Sequence, residues 1–172
     1  MRLIIIGAGK YGLEIEDIAE QTGRFTEIGF LDDNAQKDNV LGKCADFTKF
    51  KNDDTVFYVA FGNNESRKTW IEALKEFGAA ITNIVHPTAY ISPKARLGEG
   101  IAVLPQTIVN SYTELRDGVI VNSGAIVDHD CVIGACAHIC VGAIVKADNV
   151  IPAGIKIEAG QVIERETYKG EI

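Results

Sequence analysis

Basic residues are in short supply: the 172-residue chain has 17 lysines and arginines against 24 aspartates and glutamates, a net charge of −7. A broad nucleic-acid surface needs a basic stripe to neutralise phosphates, so that class is excluded. Long apolar runs are missing too. The opening run MRLIII stops at Gly7, far short of the roughly 20 residues of a membrane span. The same start lacks the length and cleavage pattern of a secretory signal, which predicts a cytoplasmic protein. Cysteine is sparse, with only Cys44, Cys131, Cys136 and Cys140; that excludes a disulfide scaffold and suits a reducing compartment. Cys131, Cys136 and Cys140 have the spacing C-x4-C-x3-C beside His129 and His138, which matches no common zinc pattern, so no metal is expected. An anionic ligand must therefore be held by backbone N–H groups and a few local cations.

What is present changes its periodicity part-way. The first 85 or so residues alternate strands and helices: a strand at Arg2–Ile6, an amphipathic helix at Tyr11–Gln21 with Leu13, Ile15, Ile18 and Ala19 inward, and a strand at Thr26–Leu31. A third strand at Thr55–Ala60 leads through Asn63-Asn64-Glu65, a cap and first helical turn, into a helix reaching Phe77. A fourth strand is expected at Ala80–Val85. This alternation implies a small parallel sheet covered by helices. Between the first strand and helix, Gly7-Ala8-Gly9-Lys10-Tyr11-Gly12 reads G-x-G-x-x-G, and Asp32 follows Gly12 by twenty residues. That is the dinucleotide fingerprint. A complete dinucleotide fold needs a second βαβαβ half, for which the chain has no room before its second region. The glycines can still bring backbone N–H groups to a pyrophosphate at a helix N-terminus.

From Ile91 the period is six. Residues 91–162 divide into twelve hexads (ISPKAR, LGEGIA, VLPQTI and onward), every one beginning with Ile, Leu or Val, and Ile163 extends the series. Fifth positions are mostly small: Ala95, Thr107, Ala125, Cys131, Ala137 and Ala143. Such a period builds a parallel β-helix whose aliphatic residues stack inward from coil to coil.

These hexads resemble the left-handed β-helix acyltransferases. The whole chain resembles one branch, the nucleotide-sugar N-acetyltransferases and sialic acid O-acyltransferases that carry a small Rossmann-like N-terminal domain. The segments IIIGAGKYG, FLDD (Phe30–Asp33), AFGNNESR (Ala60–Arg67), NIVHPTAYIS (Asn83–Ser92) and VNSGAIVDHDCVIGACAHICVGA (Val121–Ala143) carry the likeness in order. It implies an α/β Rossmann-like domain over 1–86 that binds a nucleotide sugar, then an all-β left-handed parallel β-helix over 87–172 with a charged tail. Three hexads make one coil in that family, so about four coils are expected.

Acyl transfer from a thioester needs a base for the nucleophile's proton, and imidazole is the side chain best matched to neutral pH. His129 stands third in the hexad VDHDCV, an outward position, between Asp128 and Asp130, either of which could orient the ring. The resemblance makes His129 and Asp130 the catalytic pair. It also implies that His138, Gly142 and Ala147 serve acetyl-CoA, with Ala147 N–H as oxyanion donor, and that Asn122 lines the acceptor-sugar pocket. On the same basis Gly9, Lys10, Tyr11, Asp32, Asp33, Phe61, Gly62 and Asn63 are candidate ligands of a UDP-sugar; Tyr11 stands where relatives often have histidine. Acetyl-CoA would lie between neighbouring chains of a homotrimer. His86, before the repeat, marks the domain junction. A zinc site of three converging histidines, as in β-helical carbonic anhydrases, does not fit these positions.

The expected activity is acetyl transfer from acetyl-CoA to the amine of a UDP-activated amino sugar. O-acetylation of a sialic or related sugar is an alternative, as is a non-catalytic trimer that binds nucleotide sugars. One departure bears on the last: barely one and a half coils follow His138, fewer than relatives carry, which shortens the surface that would grip coenzyme A.

Overall fold

The aliphatic run Leu3–Ile6 is fully buried in β1 (Arg2–Ile6), an inner strand of a parallel four-stranded sheet. The structure, a computed structural model, describes residues 1–34 and 39–170, which fall into two units, Met1–Ile84 and Val85–Ile172. In the first unit, α1 (Lys10–Thr22) buries Gly12, Ile15, Ile18 and Ala19 and stops at Gly23, whose left-handed backbone is the usual helix terminator. Leu13, expected on that inner face, is exposed instead, because it falls outside the arc shared by residues 12, 15 and 19. β2 (Glu27–Leu31) and β4 (Thr55–Val59) flank β1, and α2 (Asn64–Glu76) begins where Asn63 Oδ1 accepts the Ser66 N–H at 2.9 Å.

The fourth strand is not the expected one. It is β3 (Val40–Gly42), which pairs with β2 at the sheet edge. The segment Ala80–Val85 is divided: Ile81 makes an isolated bridge to Phe57, and Ile84–Val85 is a two-residue strand of a different sheet. The Thr82 N–H still donates to Phe57 O at 2.9 Å, and the chain leaves the ladder after it, where the Arg24 guanidinium takes Asn83 O at 3.0 Å and holds Thr82 Oγ1 at 3.1 Å.

The second unit is a left-handed parallel β-helix. Two-residue strands from Ile84–Val85 to Val162–Ile163 stack into three faces of five, five and four strands. Partners in register, such as Ile108, Ile126 and Ile144, recur every 18 residues, so three hexads make one coil. The first hexad positions from Val103 to Ile163 form the core, joined by small fifth positions such as Ala125, Cys131 and Ala137. Three fifth positions are polar and fully enclosed, and each is satisfied inside the coil. Thr107 Oγ1 donates to Asn122 O, Thr113 Oγ1 to Asp128 O at 2.6 Å, and Asn149 Nδ2 to the carbonyls of Lys146 and Glu164.

From the second hexad onward each corner turns through one residue in the left-handed region. The fourth position of each hexad from residue 100 to 166 has a φ between 55° and 69°. Glycine occupies half of these positions; Gln106, Tyr112, Asp130, Cys136, Asp148 and Glu166 occupy the others. An L side chain there costs about 1–2 kcal/mol, so the burial of the core positions must outweigh it.

The end of the helix is closed by its tail. Tyr168 packs against the core, accepts the Val150 N–H at 2.9 Å and donates its own N–H to Asn149 Oδ1 at 2.9 Å. Ion pairs Lys146–Glu164, Arg165–Asp148 and Lys169–Glu166 surround this cap.

Candidate active site

His129 sits on the corner between the strands Ile126–Val127 and Val132–Ile133, and buried bonds hold that corner from below. Thr113 Oγ1 fixes the carbonyl of Asp128 from inside the core, and Asn110 Nδ2 donates to Asp128 Oδ1 at 3.0 Å from the preceding coil. The same carboxylate oxygen accepts the His129 N–H at 2.8 Å. Asp128 is thus a brace for the turn. Burial pushes its carboxyl up, but hydrogen bonds from His129 N–H and Asn110, the nearby imidazole and the Ala147 backbone together hold it below the ordinary carboxylate range.

Asp130 does a different job. Its Oδ2 lies 2.8 Å from His129 Nδ1. A carboxylate can only accept, so Nδ1 carries the ring proton and Nε2 keeps its lone pair. The hydrogen bond to Asp130 raises the His129 pKa above the imidazole norm; desolvation opposes it, and the charges of Asp128, Asp130 and Asp148 add to the rise. An exposed imidazole with an oriented Nδ1–H and an available Nε2 has the form of a general base.

His138 stands nine residues on, half a coil away. It points outward from the strand His138–Ile139, while Ile139 points into the core. That strand belongs to the face opposite the His129 corner, so a single chain does not bring the two imidazoles together. Asn122 is beside His138: its Nδ2 is 3.2 Å from His138 Nε2, and its Oδ1 accepts the Ser123 N–H at 2.7 Å. Gly142 N–H, expected to serve acetyl-CoA, donates to Ser123 O at 3.0 Å and so has a partner within the coil. Cys131, behind the histidine turn, is pushed up to about 11 by burial and is chemically quiet. Among the described residues no group of three or more His, Cys, Asp or Glu side chains is arranged to hold a metal, and no helix is long and apolar enough to cross a membrane.

In the first unit the glycine turn is built for close approach. A Cβ on Gly12 would lie 2.1 Å from Gly7 O, so only glycine lets α1 meet the end of β1. A Cβ on Gly9, by contrast, would meet nothing within 4 Å: the turn is open there. Gly9 precedes α1 without any side-chain cap, leaving the N–H groups of its first turn directed outward. Asp32 Oδ2 accepts the Ala8 N–H at 2.7 Å and Oδ1 accepts the Asn34 N–H at 2.8 Å, while Asp33 Oδ1 takes the Cys44 N–H at 3.0 Å. The two aspartates therefore tie the loops together. Tyr11 turns its hydroxyl inward to Tyr58, 2.8 Å away, and burial with the Tyr58 hydroxyl raises its pKa well above the ordinary phenol. Arg67, fully buried, donates to Phe61 O at 2.8 Å, Gly62 O at 3.4 Å and Asn64 Oδ1 at 2.8 Å, clamping the loop that holds Phe61, Gly62 and Asn63. Sequence reasoning missed Arg67, although it ends the segment AFGNNESR.

Residues 2–74 match the PglD N-terminal domain family. The acetyltransferase domain of PglB from Neisseria gonorrhoeae FA1090 superposes with a TM-score of 0.86 at 31% identity, over 95% of this chain and 91% of that one. The chain belongs to the hexapeptide-repeat nucleotide-sugar N-acetyltransferase family. Within the family, a second structure of the PglB domain holds acetyl coenzyme A. PerB from Caulobacter crescentus, in complex with CoA and GDP-perosamine, superposes with a TM-score of 0.84 at 27% identity, over 99% of this chain and 92% of that one. A GDP-perosamine N-acetyltransferase of Escherichia coli O157:H7 is 27% identical over 76% of this chain; the chain spans 63% of that protein's length.

Proposed function

We propose that this protein transfers the acetyl group of acetyl-CoA to the amine of a nucleotide-linked amino sugar. The observation that carries the reading is the 2.8 Å contact between His129 Nδ1 and Asp130 Oδ2 on an exposed corner. His129 Nε2 takes the amine proton as nitrogen attacks the thioester carbonyl, and Asp130 steadies the imidazolium that forms. The tetrahedral intermediate collapses with loss of the coenzyme A thiolate. Attack is direct, in a ternary complex, with no acyl-enzyme.

The nucleotide diphosphate lies over Gly9, Lys10 and Tyr11, where the outward N–H groups of α1 favour negative charge. Phe61, Gly62 and Asn63 border it, and Asp32 and Asp33 shape the loop around the nucleoside. The opposed placement of His129 and His138 supports a homotrimer in which acetyl-CoA lies between chains, near His138 of one and His129 of its neighbour. UDP is the base expected from the family resemblance. The relatives named for GDP-perosamine favour GDP as a second reading.

A panel of UDP- and GDP-linked amino sugars with acetyl-CoA, followed by mass spectrometry and thiol release, tests the reading. An increment of one acetyl group matched by one thiol is expected for one nucleotide series. Absence of turnover with every member would sink the assignment.

A further inference from the structure

We propose that Arg165 is a positioning residue for His129: by engaging Asp148 it offsets a third carboxylate at the histidine corner and keeps the ring free to take a proton. Resting on the acetyl-transfer reading, the charged tail then belongs to the working site as well as to the cap.

The coil repeat brings these groups together. Asp148 follows Asp130 by 18 residues and takes its place one coil on, with neighbouring strands about 4.8 Å apart. The Asp148 N–H donates to His129 O at 3.4 Å. Its backbone has a φ of 60°, which glycine would adopt without strain. The position thus keeps a side chain at the expense of strain, as working sites do. Arg165 reaches down from the coil beyond: its Nε donates to Asp148 Oδ2 at 2.7 Å, and its Nη2 pairs with the same oxygen.

Three carboxylates therefore surround one imidazole. Asp130 accepts from Nδ1, Asp128 accepts the His129 N–H and the Asn110 amide, and Asp148 adds its charge from the next coil. Uncompensated, such charges favour the imidazolium, and a base already protonated cannot take the amine proton. The lysines near the corner are engaged elsewhere. Lys94 Nζ donates to the Tyr112 hydroxyl at 3.0 Å in the preceding coil, Lys146 pairs with Glu164 at 2.6 Å, and Lys169 pairs with Glu166 at 2.9 Å. Among the described residues, Arg165 is the arginine or lysine that pairs with a carboxylate of the trio.

The test follows the ring proton. Full-length protein, free of ligand and at low salt, is titrated by NMR of its histidine rings, with His129→Gln assigning the resonance. Relative to wild type, the His129 midpoint is expected to rise in Arg165→Gln, to fall in Asp148→Asn and to return toward wild type in Arg165→Lys. In the Asp148→Asn background, Arg165→Gln should move the midpoint less than it does alone, because the guanidinium has lost its anchor. A midpoint unmoved or lowered by Arg165→Gln, or a shift as large in both backgrounds, overturns the proposal. A merely structural cap would lower the melting temperature of Arg165→Gln and leave the titration unchanged. In kinetics, Arg165→Gln should lose kcat/KM on the acid side and keep the plateau at higher pH. Loss of the plateau would instead make Arg165 a substrate contact and overturn the proposal. Failure of the wild type to acetylate any sugar removes the acetyl-transfer reading, while the titration still decides whether Arg165 acts on His129 through Asp148.

Discussion

Asp130 meets His129 across 2.8 Å from a backbone position with a φ of 55°. The carboxylate is thus delivered by a conformation that most side chains avoid, at a corner where half the coils use glycine. Aspartate and asparagine tolerate this region better than other residues, which makes Asp130→Asn the substitution that removes charge without disturbing the turn. It is expected to lower kcat by about tenfold to a hundredfold, with circular dichroism and melting unchanged. His129→Ala should cost about 100- to 10,000-fold in kcat while nucleotide binding by calorimetry persists.

The raised pKa of His129 has a defined consequence for rate. The base works only when unprotonated, so kcat/KM should fall on the acid side with a midpoint above the ordinary imidazole value of 6.5. Asp130→Asn replaces the carboxylate that accepts from Nδ1, the largest cause of the rise, by a neutral amide oxygen that accepts more weakly, so the midpoint should shift to lower pH. A midpoint that stays fixed in that variant would mean that another group limits the rate.

Gly12→Ala places a methyl 2.1 Å from the Gly7 carbonyl. The glycine turn must open to accept it, at about 1–3 kcal/mol in stability, and binding of UDP or GDP should weaken in parallel. Gly9→Ala enters open space, so it should leave the melting temperature alone and affect only nucleotide binding.

The left-handed corners offer a stabilising change. Gln106 is exposed, with a φ of 57°. Gln106→Gly should raise stability by about 0.5–1 kcal/mol, the relief of αL strain less the added entropy of the unfolded chain. Denaturant unfolding measures it. Asn149→Ala should do the reverse: it takes the buried amide donor from the carbonyls of Lys146 and Glu164, which keep Cys131 Sγ and Thr167, and removes the acceptor of the Tyr168 N–H, at about 1–3 kcal/mol. Hydrogen exchange at Val150, whose N–H pairs with Tyr168 O, should accelerate most.

The β-helix was legible because its signal is redundant: each aliphatic first position repeats the same instruction, and all of those from Val103 to Ile163 are in the core. The helices were legible for a similar reason, through Gly23 and Asn63 at their ends. β3 was not, since Val40–Gly42 is too short to show a period and is recruited by pairing with β2. The expected strand at Ala80–Val85 is split, because Arg24, distant in sequence, takes the Asn83 carbonyl and Ile84–Val85 pairs within the β-helix. In the site, His129 and Asp130 are adjacent in the chain and could be read as a pair. Asn122 and His138 are separated by a coil, and Arg67 meets Phe61 and Gly62 only by folding back from α2. Nothing local marks Asn122 and His138, 16 residues apart, as partners; the coil repeat of 18 residues is what brings them side by side.

That spacing also makes length a discrete variable. A segment of 18 residues added within the β-helix inserts a whole storey and returns every later side chain to its own face. A segment of six would move everything after it round by one face, so that His138 and its amide no longer stood opposite the His129 corner. Chains of this architecture can therefore grow or shrink only in steps of a full coil wherever two faces must be read together. The site constrains the arithmetic of the chain as firmly as it constrains any residue within it.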